Sequence, residues 1–272
     1  MKRLLIAGCG DLGSRLAARL DHHQWQVAGL RRNTESLPES IVPVRADLTQ
    51  PGSMDSIEPE WDAIIYQPTP GSRDEAAYQR TYVDGLRNLL TRVRARRLIY
   101  VSSTAVYGQD DGSWVDEESP TEPAAFNGRL VLEGEKLALE SVGNTVVVRF
   151  SGIYGPGREY LIKSLKAGRA SCRPDPPQWT NRIHVDDCAA VLEHLLNLPA
   201  PDSLYCASDC QPAPRCDVLD WIADQLDVDR PERLPPQEGA GQGKRVSSRR
   251  LLASGFSFKF PDFRSGYGAI LS

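Results

Sequence analysis

Three glycines near the start of the chain have the spacing of a phosphate-binding turn. Gly8, Gly10 and Gly13 follow a short apolar run and precede residues with a helical pattern. In such a strand–turn–helix unit the first glycine permits a tight turn, the second lets the backbone approach a pyrophosphate, and the third lets the helix pack on the strand. The start of the helix adds backbone N–H groups and the positive end of its dipole. The pattern predicts a dinucleotide site, against the alternative of a tight turn without a ligand.

The residues after the second predicted strand bear on which dinucleotide is bound. That strand covers 26–30 and is followed by Arg31 and Arg32, with no acidic residue in reach. An acidic side chain at this position binds the ribose 2′-hydroxyl of NAD, whereas arginine accommodates the 2′-phosphate of NADP through paired hydrogen bonds. We therefore predict NADP as the cofactor, with NAD as the alternative. A solvated loop would also account for both arginines.

The elements that must position these residues alternate between strand and helix. Apolar runs predict further strands at 41–46, 61–66, 97–102 and 145–150, and helical spacing predicts helices at 74–94 and 128–142. Alternation of this kind is typical of an α/β fold with a doubly wound parallel sheet, a Rossmann fold, whose ligand lies at the carboxyl ends of the strands.

From residue 154 onward prolines and short elements dominate. Helices are predicted at 159–167, 186–198 and 216–226, and a loop at 235–243. This change in composition predicts a small C-terminal substrate lobe. We assign 1–154 and 183–199 to the NAD(P)-binding Rossmann domain, and 155–182 and 200–272 to the smaller substrate-binding lobe.

The composition excludes several classes of protein. A formal net charge of −4 over 272 residues argues against a general binder of nucleic acid or of anionic membranes. No apolar run reaches the length that spans a bilayer, and the apolar stretch before Cys9 is too short for a signal peptide. The six cysteines complete no zinc set, so we predict no metal and interpret them as buried free thiols. We expect a cytoplasmic protein with a small-molecule substrate.

Several segments together resemble the extended short-chain dehydrogenase/reductase family, which contains nucleotide-sugar epimerases and dehydratases. Besides the glycine turn, the resembling segments are Asp47-Leu48, Ser102-Ser103-Thr104-Ala105-Val106-Tyr107-Gly108, Arg149-Phe150-Ser151-Gly152-Ile153-Tyr154-Gly155-Pro156-Gly157 and Ile183-His184-Val185-Asp186-Asp187. They stand in the family's order across nearly the whole chain. The resemblance implies a cofactor fold followed by a substrate lobe.

The resemblance also implies roles for single residues. Asp47 and Leu48 would contact adenine, and Ser103 would hold the substrate or its developing oxyanion, unless it simply caps the strand end. We predict that the cofactor site is completed by Asp11, Leu12, Gln67 and Ser102. By family analogy a homodimer would form through the helices at 74–94 and 128–142.

The family's proton-transfer unit is a tyrosine followed four residues later by a lysine, which lowers the tyrosine's pKa. Asn127 stands where the tyrosine belongs and Val131 where the lysine belongs, and no tyrosine of the chain has a lysine four residues on. The chain is therefore similar to atypical members of the family. Tyr107, Tyr154 and His184 are ionisable, but structural roles are favoured for them; Ser103 and Tyr154 are kept as the catalytic candidates.

Two functions follow from this pattern. The first is an NADP(H)-binding, epimerase/dehydratase-like oxidoreductase with a non-standard active site, acting on a small carbonyl, alcohol or sugar-derived substrate. The second is a non-catalytic NADP(H)-binding redox sensor or regulatory protein. In the lobe, Arg158, Arg173 and Arg182 could hold an anionic group, although solvated surface arginines are commoner.

Overall fold

The computed structural model of the chain describes residues 1–239 and 241–272. Its strands are β1 Lys2–Ala7, β2 Trp25–Arg31, β3 Val42–Arg45, β4 Glu60–Tyr66, β5 Arg94–Ser103, β6 Trp114–Val115, β7 Thr145–Phe150, β8 Gly152–Tyr154, β9 Ser171–Cys172, β10 Trp179–Thr180, β11 Arg182–His184, β12 Leu204–Ala207, β13 Ala213–Pro214, β14 Glu232–Arg233 and β15 Arg245–Val246. Its α-helices are α1 Asp11–Arg19, α2 Glu75–Tyr78, α3 Gly85–Arg92, α4 Phe126–Ser141, α5 Tyr160–Lys166, α6 Val185–Asn197, α7 Arg215–Leu226, α8 Arg249–Ala253 and α9 Phe263–Leu271.

Seven of these strands form one sheet in the order β12-β7-β5-β4-β1-β2-β3. β1 pairs in parallel with β2 on one side and with β4 on the other, so the strand order reverses beside β1. Leu4, Leu5 and Ile6 of β1 are fully buried, as expected for a central parallel strand covered on both faces. The predicted doubly wound parallel α/β fold is confirmed.

The helix predicted at 74–94 is not a regular α-helix. α2 ends at Tyr78, residues Gln79–Asp84 form a π-helical segment, and α3 continues from Gly85. α4 packs directly against the π-helical segment, where a Cβ on Gly134 would overlap the Tyr100 hydroxyl and the Tyr82 carbonyl oxygen. Only glycine at position 134 permits this close approach.

One face of the sheet carries a continuous apolar core. Alternate strand residues share it with α3 and α4; among them are Leu5, Leu30, Ile64, Leu98, Leu86, Leu89 and Ala138. Leu86 and Leu89 are one helical turn apart in α3, so the spacing that predicted a helix also orients its buried face.

The chain divides into two compact units. The first comprises Met1–Val106, Thr121–Arg149 and Ala189–Tyr205, and the second comprises Tyr107–Pro120, Phe150–Cys188 and Cys206–Ser272. In the second, α5, α7 and α9 enclose a separate apolar core that includes Ile162, Leu219 and Phe263. The assignment of one domain to the cofactor and the other to the substrate stays a prediction.

The helices predicted beyond residue 154 are present in the structure. The predicted helices at 159–167, 186–198 and 216–226 correspond to α5, α6 and α7 within one residue at each end. The loop predicted at 235–243 has no helix or strand in its described part, and its residue 240 lies outside the described residues. In the part of the chain that is described, none of the helices combines the length and the apolar character needed to cross a membrane.

Candidate functional site

A cleft of about 430 Å³ lies at the carboxyl ends of β1, β2 and β4. It occupies the place where the strand order reverses, which is where open α/β sheets bind their ligands. Six of the predicted cofactor residues line it: Gly8, Gly10, Arg31, Arg32, Asp47 and Leu48. Asp11, Leu12, Gly13, Gln67 and Ser102 are not among its lining residues.

Gly8 makes the turn out of β1 in a conformation that favours glycine, with a φ of 83°. A Cβ at this position would lie 2.5 Å from the Cα of Pro68, so the turn also needs the missing side chain for space. Gly13 is close-packed for another reason, since its Cβ would lie 2.7 Å from Nε2 of Gln67 and 2.9 Å from Sγ of Cys9. These two glycines fix the turn on the sheet.

Gly10 differs from both, because its φ of −103° is open to any residue and no protein atom crowds it. The nearest atom to a Cβ built on Gly10 is the Gly8 carbonyl oxygen, at 4.0 Å. The space beside Gly10 therefore faces the cleft and is not filled by the protein. A phosphate placed there could approach the backbone closely, so the turn fits the pyrophosphate of a dinucleotide.

The start of α1 adds positive potential to this space. The first backbone N–H groups of any helix lack an intrahelical acceptor, and Gly10 provides no capping side chain for them. Asp11 at the first position pairs with Arg15 one turn later, at 3.0 Å. The helix dipole and its first amides thus favour an anion at the turn.

Three arginines line the same cleft. Arg31 ends β2 and Arg32 follows it, and both line the cleft together with Arg80 from the π-helical segment. Asp47 is the one acidic residue among the lining residues. Sequence reasoning missed Arg80, because a regular helix was predicted there and the sequence carries no signal for the π-helical segment.

Asp47 and Leu48 lie in a turn held by hydrogen bonds. Oδ1 of Asp47 accepts from the Thr49 amide at 2.9 Å and from the Thr49 hydroxyl at 2.8 Å. The Leu48 carbonyl accepts from the Asn88 side chain of α3 at 3.0 Å. These bonds fix the Asp47 carboxylate at the edge of the cleft, where the resemblance places the adenine.

Gln67 supports the glycine turn from behind. The backbone N–H of Gln67 donates to the Ala7 carbonyl at 2.9 Å, which continues the pairing of β1 and β4. Its Nε2 covers Gly13, and its Oε1 is buried without a hydrogen-bond partner among the described residues. A buried polar atom without a partner is costly, and the fold accepts this cost where Gln67 packs against Gly13.

Ser102 points away from the cleft, into a buried ionic cluster. Its hydroxyl donates to Glu135 of α4, whose carboxylate accepts two hydrogen bonds from Arg149 of β7. The exposed fractions of the Glu135 and Arg149 side chains are 3% and 6%. This cluster joins β5, α4 and β7, and sequence reasoning gave no sign of it.

The family model described as "NAD dependent epimerase/dehydratase family" matches residues 4–204. The chain belongs to this family. Protein YeeZ of Escherichia coli strain K12 is 27% identical over 274 residues, which covers 96% of this chain and 97% of YeeZ. This full-length match agrees with the predicted resemblance to an atypical extended short-chain dehydrogenase/reductase.

Solved structures extend the comparison with the epimerase/dehydratase family. A Methylobacillus flagellatus protein assigned to the NAD-dependent epimerase/dehydratases is 38% identical, with a TM-score of 0.83 over 99% of this chain and 97% of that one. The human epimerase family protein SDR39U1, solved with NADPH, is 19% identical with a TM-score of 0.79 over 99% of each chain. The second likeness concerns the fold alone.

The end of β5 and the start of α4, which carry Ser103 and Asn127, pack closely against each other. Ser103 is the last residue of β5, half-buried, and its hydroxyl accepts from the Ala105 amide at 3.2 Å. A Cβ on Gly128 would overlap the Ala105 carbonyl oxygen, so α4 begins directly against this turn. Asn127 precedes Gly128 in that first turn, and Val131 is buried one turn later. Neither side chain titrates near neutral pH.

Tyr154, the second catalytic candidate, lies in the second unit and is 4% exposed. Its ring packs against Tyr267, with centroids 4.4 Å apart, and edge-on against His184. Its hydroxyl abuts Gly266 of α9 and has no hydrogen-bond partner among the described residues. Burial raises the pKa of this phenol far above its usual range. The placement favours a packing role over proton transfer.

The interpretation of the six cysteines as buried free thiols is partly wrong. Cys172 and Cys216 form a disulfide, and Cys210 is exposed. Cys9 lies inside the glycine turn and is fully buried; burial raises its pKa to about 11, although the charge of Arg31 acts in the opposite direction. Its thiol is therefore protonated and unreactive at neutral pH.

Proposed function

We propose that this chain is an NADP(H)-binding oxidoreductase of the epimerase/dehydratase type with a non-standard active site. The observation that carries the proposal is the cleft itself, which combines an open position at Gly10 with three arginines among its lining residues. The proposed substrate is a small carbonyl, alcohol or sugar-derived molecule. A bound nicotinamide cofactor would supply hydride transfer.

The choice of NADP over NAD follows from charge. β2 ends at Arg31 and is followed by Arg32, where an acidic residue would be needed to bind the 2′-hydroxyl of NAD. A guanidinium binds phosphate with two parallel hydrogen bonds, and Arg80 adds a third cation to the same cleft. The human relative of the same fold was solved with NADPH, which is consistent with this choice.

The non-standard site follows from Asn127 and Val131. An asparagine exchanges no proton near neutral pH, and a valine supplies no charge to shift the pKa of a neighbour. We infer that a water held by the Ser103 hydroxyl and the Asn127 amide exchanges the proton with the substrate oxygen. Ser103 would position that oxygen from the carboxyl end of β5.

The second candidate is an NADP(H)-binding redox sensor. The observation that favours it is the absence of the family's proton-transfer pair. Asn127 and Val131 stand at the positions of the tyrosine and the lysine, and the phenol of Tyr154 is buried among aromatic rings. A sensor must bind oxidised and reduced cofactor with different affinity or change its partners between them.

Binding is tested by thermal unfolding and calorimetry with NADP, NADPH, NAD and NADH. We expect the phosphorylated pair to raise the melting temperature, because a ligand at a hundred times its dissociation constant adds about 2.7 kcal/mol of stability. Arg31→Asp should weaken NADPH binding more than NADH binding. Arg94→Asp is the matched control, since it makes the same charge change at an exposed position at the start of β5.

Three results would separate the alternatives. Equal weakening of NADPH and NADH by Arg31→Asp would contradict the proposed role of Arg31. Absence of a shift with all four dinucleotides would contradict both candidate functions. Cofactor binding without turnover of any carbonyl or alcohol in a broad panel, together with different affinities for the oxidised and reduced forms, would favour the sensor.

A further inference from the structure

The disulfide between Cys172 and Cys216 lies in the second unit and has no part in the proposed function. Cys172 ends β9 and Cys216 is the second residue of α7, so the bond joins a strand to the start of a helix. Both residues belong to the apolar core of this unit, with 2% and 6% of their surfaces exposed. The bond therefore holds α7 on β9 from inside the core.

Arg233 of β14 lies directly beside this disulfide. β14 pairs in parallel with β9 and places Arg233 opposite Cys172. The Leu234 amide donates to the Cys172 carbonyl at 2.9 Å, which fixes the two strands against each other. Nη1 of Arg233 contacts Sγ of Cys172 at 2.7 Å. The strand pairing thus holds a guanidinium group against one sulfur of the disulfide.

Asp220 of α7 fixes the other half of the same guanidinium. Nη2 of Arg233 donates to Oδ1 and Oδ2 of Asp220 at 2.7 and 2.5 Å, which leaves Nη1 for the sulfur. Asp220 lies one helical turn after Cys216, so Arg233 contacts both of the elements that the disulfide joins. The side chains of Arg233 and Asp220 are 40% and 22% exposed. A solvent-accessible ion pair therefore lies over a buried S–S bond.

A cation in contact with Cys172 changes the chemistry of the disulfide. When a disulfide is reduced, one sulfur leaves as a thiolate, and it leaves faster when its pKa is lower. A neighbouring guanidinium favours the thiolate over the thiol. Two other buried cysteines show the effect of burial, which raises the pKa of Cys9 to about 11 and that of Cys188 well above its ordinary value. Arg233 gives Cys172 a counterion that opposes this effect.

We propose that Cys172 and Cys216 form a redox-active site that undergoes thiol–disulfide exchange with small thiols, and that its state controls the packing of α7 on β9. A thiolate of the reductant attacks Sγ of Cys216, because Arg233 covers Cys172. The S–S bond breaks, and Cys172 leaves as a thiolate beside Arg233. A second thiolate attacks the mixed disulfide and releases Cys216. The reductant becomes a disulfide, and the chain gains two electrons and two protons.

The inference goes beyond the proposed function, and its test uses the full chain without any dinucleotide. The chain is equilibrated with mixtures of reduced and oxidised glutathione at about pH 8, near the ordinary pKa of a thiol. Acid quenching, alkylation and mass spectrometry then measure the reduced fraction of Cys172 and Cys216 separately from the four free cysteines. We expect glutathione to reduce the pair in the folded chain, whereas a purely structural disulfide resists it.

Arg233→Gln should shift this equilibrium toward the disulfide by about tenfold, the effect of losing one hydrogen bond to a charged group. Arg233→Lys keeps the charge and should give an intermediate shift. A substitution that only loosened the fold would make the disulfide easier to reduce, so the sign of the shift separates the two explanations. Arg230→Gln is the matched control, because Arg230 is exposed, lies in the same unit and pairs with a different carboxylate of α7, that of Asp224. It should leave the equilibrium unchanged.

The effect on packing is measured by hydrogen exchange and thermal unfolding. Reduction should speed exchange at the start of α7 and leave β1 unchanged, and it should lower the melting temperature by several degrees because the unfolded chain regains freedom. Cys216→Ser should show the lower melting temperature with or without glutathione. Cys210→Ser, at the exposed free cysteine of the same unit, should respond as the unaltered chain does.

Three results would overturn the proposal. These are resistance of the folded chain to glutathione, reduction of Arg233→Gln as easily as the unaltered chain or more easily, and unchanged exchange in α7 after reduction. If Cys216→Ser does not fold, exchange in the reduced unaltered chain decides the effect on packing. Failure here would leave the proposed NADP(H) site untouched, since no dinucleotide is present in the assay.

Discussion

The Arg149 guanidinium donates two hydrogen bonds to the Glu135 carboxylate, from Nε to Oε1 at 2.9 Å and from Nη2 to Oε2 at 2.7 Å. Ser102 donates to the same carboxylate. Burial makes the Glu135–Arg149 pair costly to break, because removing one partner leaves the other charge buried without compensation. The cluster also fixes α4, which carries Asn127, against the end of β5, which carries Ser103.

Glu135→Gln is expected to lower the free energy of unfolding by about 3–5 kcal/mol, the range for breaking a buried ion pair. Urea denaturation followed by circular dichroism measures this. Glu133→Gln, two residues earlier on the exposed surface of α4, is the control and should change stability little. Equal effects of the two substitutions would mean that the buried Glu135 carboxylate contributes no more to stability than the exposed Glu133 carboxylate.

The glycine turn yields a prediction that separates binding from stability. Gly10→Ala should leave the melting temperature nearly unchanged, because its φ is negative and the nearest atom to the added methyl group, the Gly8 carbonyl oxygen, is 4.0 Å away, but should abolish dinucleotide binding. Gly8→Ala should destabilise the fold by more than about 1 kcal/mol, because of its positive φ and the contact with Pro68. Melting curves with and without NADPH measure both effects. Retained binding in Gly10→Ala would argue against a phosphate at the turn.

Tyr154→Phe should have no effect on any activity and should leave stability unchanged or slightly higher, because the lost hydroxyl has no partner among the described residues. Tyr66→Phe is a matched control. The Tyr66 hydroxyl donates to the Thr81 carbonyl at 2.5 Å, so its loss should cost about 0.5–1.5 kcal/mol. Thermal unfolding and turnover measurements on both variants provide the test. A large loss of activity in Tyr154→Phe would restore Tyr154 as a catalytic residue.

Asp209 is expected to make the free energy of unfolding depend on pH. Burial raises its pKa from 3.8 to about 7, although Arg182 acts in the opposite direction. The folded state therefore binds more protons than the unfolded state between these two values, so stability falls as the pH rises through that window and then levels off. Asp209→Asn mimics the neutral form and should stabilise the fold at about pH 8 by roughly 1–3 kcal/mol, with little effect near the unfolded pKa.

Urea denaturation across this pH range measures the effect. Asp229→Asn, at an exposed position of the same unit, serves as the control and should not alter the pH profile. An unchanged profile in Asp209→Asn would show that Asp209 ionises normally in the folded protein.

Local patterns allowed much of the fold to be predicted. β1, the glycine turn and α1 follow one another directly, and the apolar runs were enough to place six of the seven strands of the sheet; β12 was not predicted. Contacts between distant segments could not be predicted in this way. The disulfide joins residues 44 positions apart, and the space for the Tyr154 hydroxyl comes from Gly266 near the end of the chain. Ser102 was assigned to the cofactor on its position alone, and the partner of its hydroxyl lies 33 residues away.

The π-helical segment Gln79–Asp84 makes the direction of the neighbouring side chains depend on the number of residues in this stretch. In an α-helix each residue advances about 100° around the axis, and a π turn accommodates an additional residue. The segment lets one helical stretch present Ala77 and Arg80 to the cleft beside Gly10 and Leu86 and Leu89 to the core. Deletion of a single residue between 79 and 84 would allow a regular helix and turn one of these two faces away by about 100°. The number of residues in this stretch, as well as their types, is therefore part of what builds the cleft, and an aligned relative that is one residue shorter here is expected to present a different side chain to the cleft.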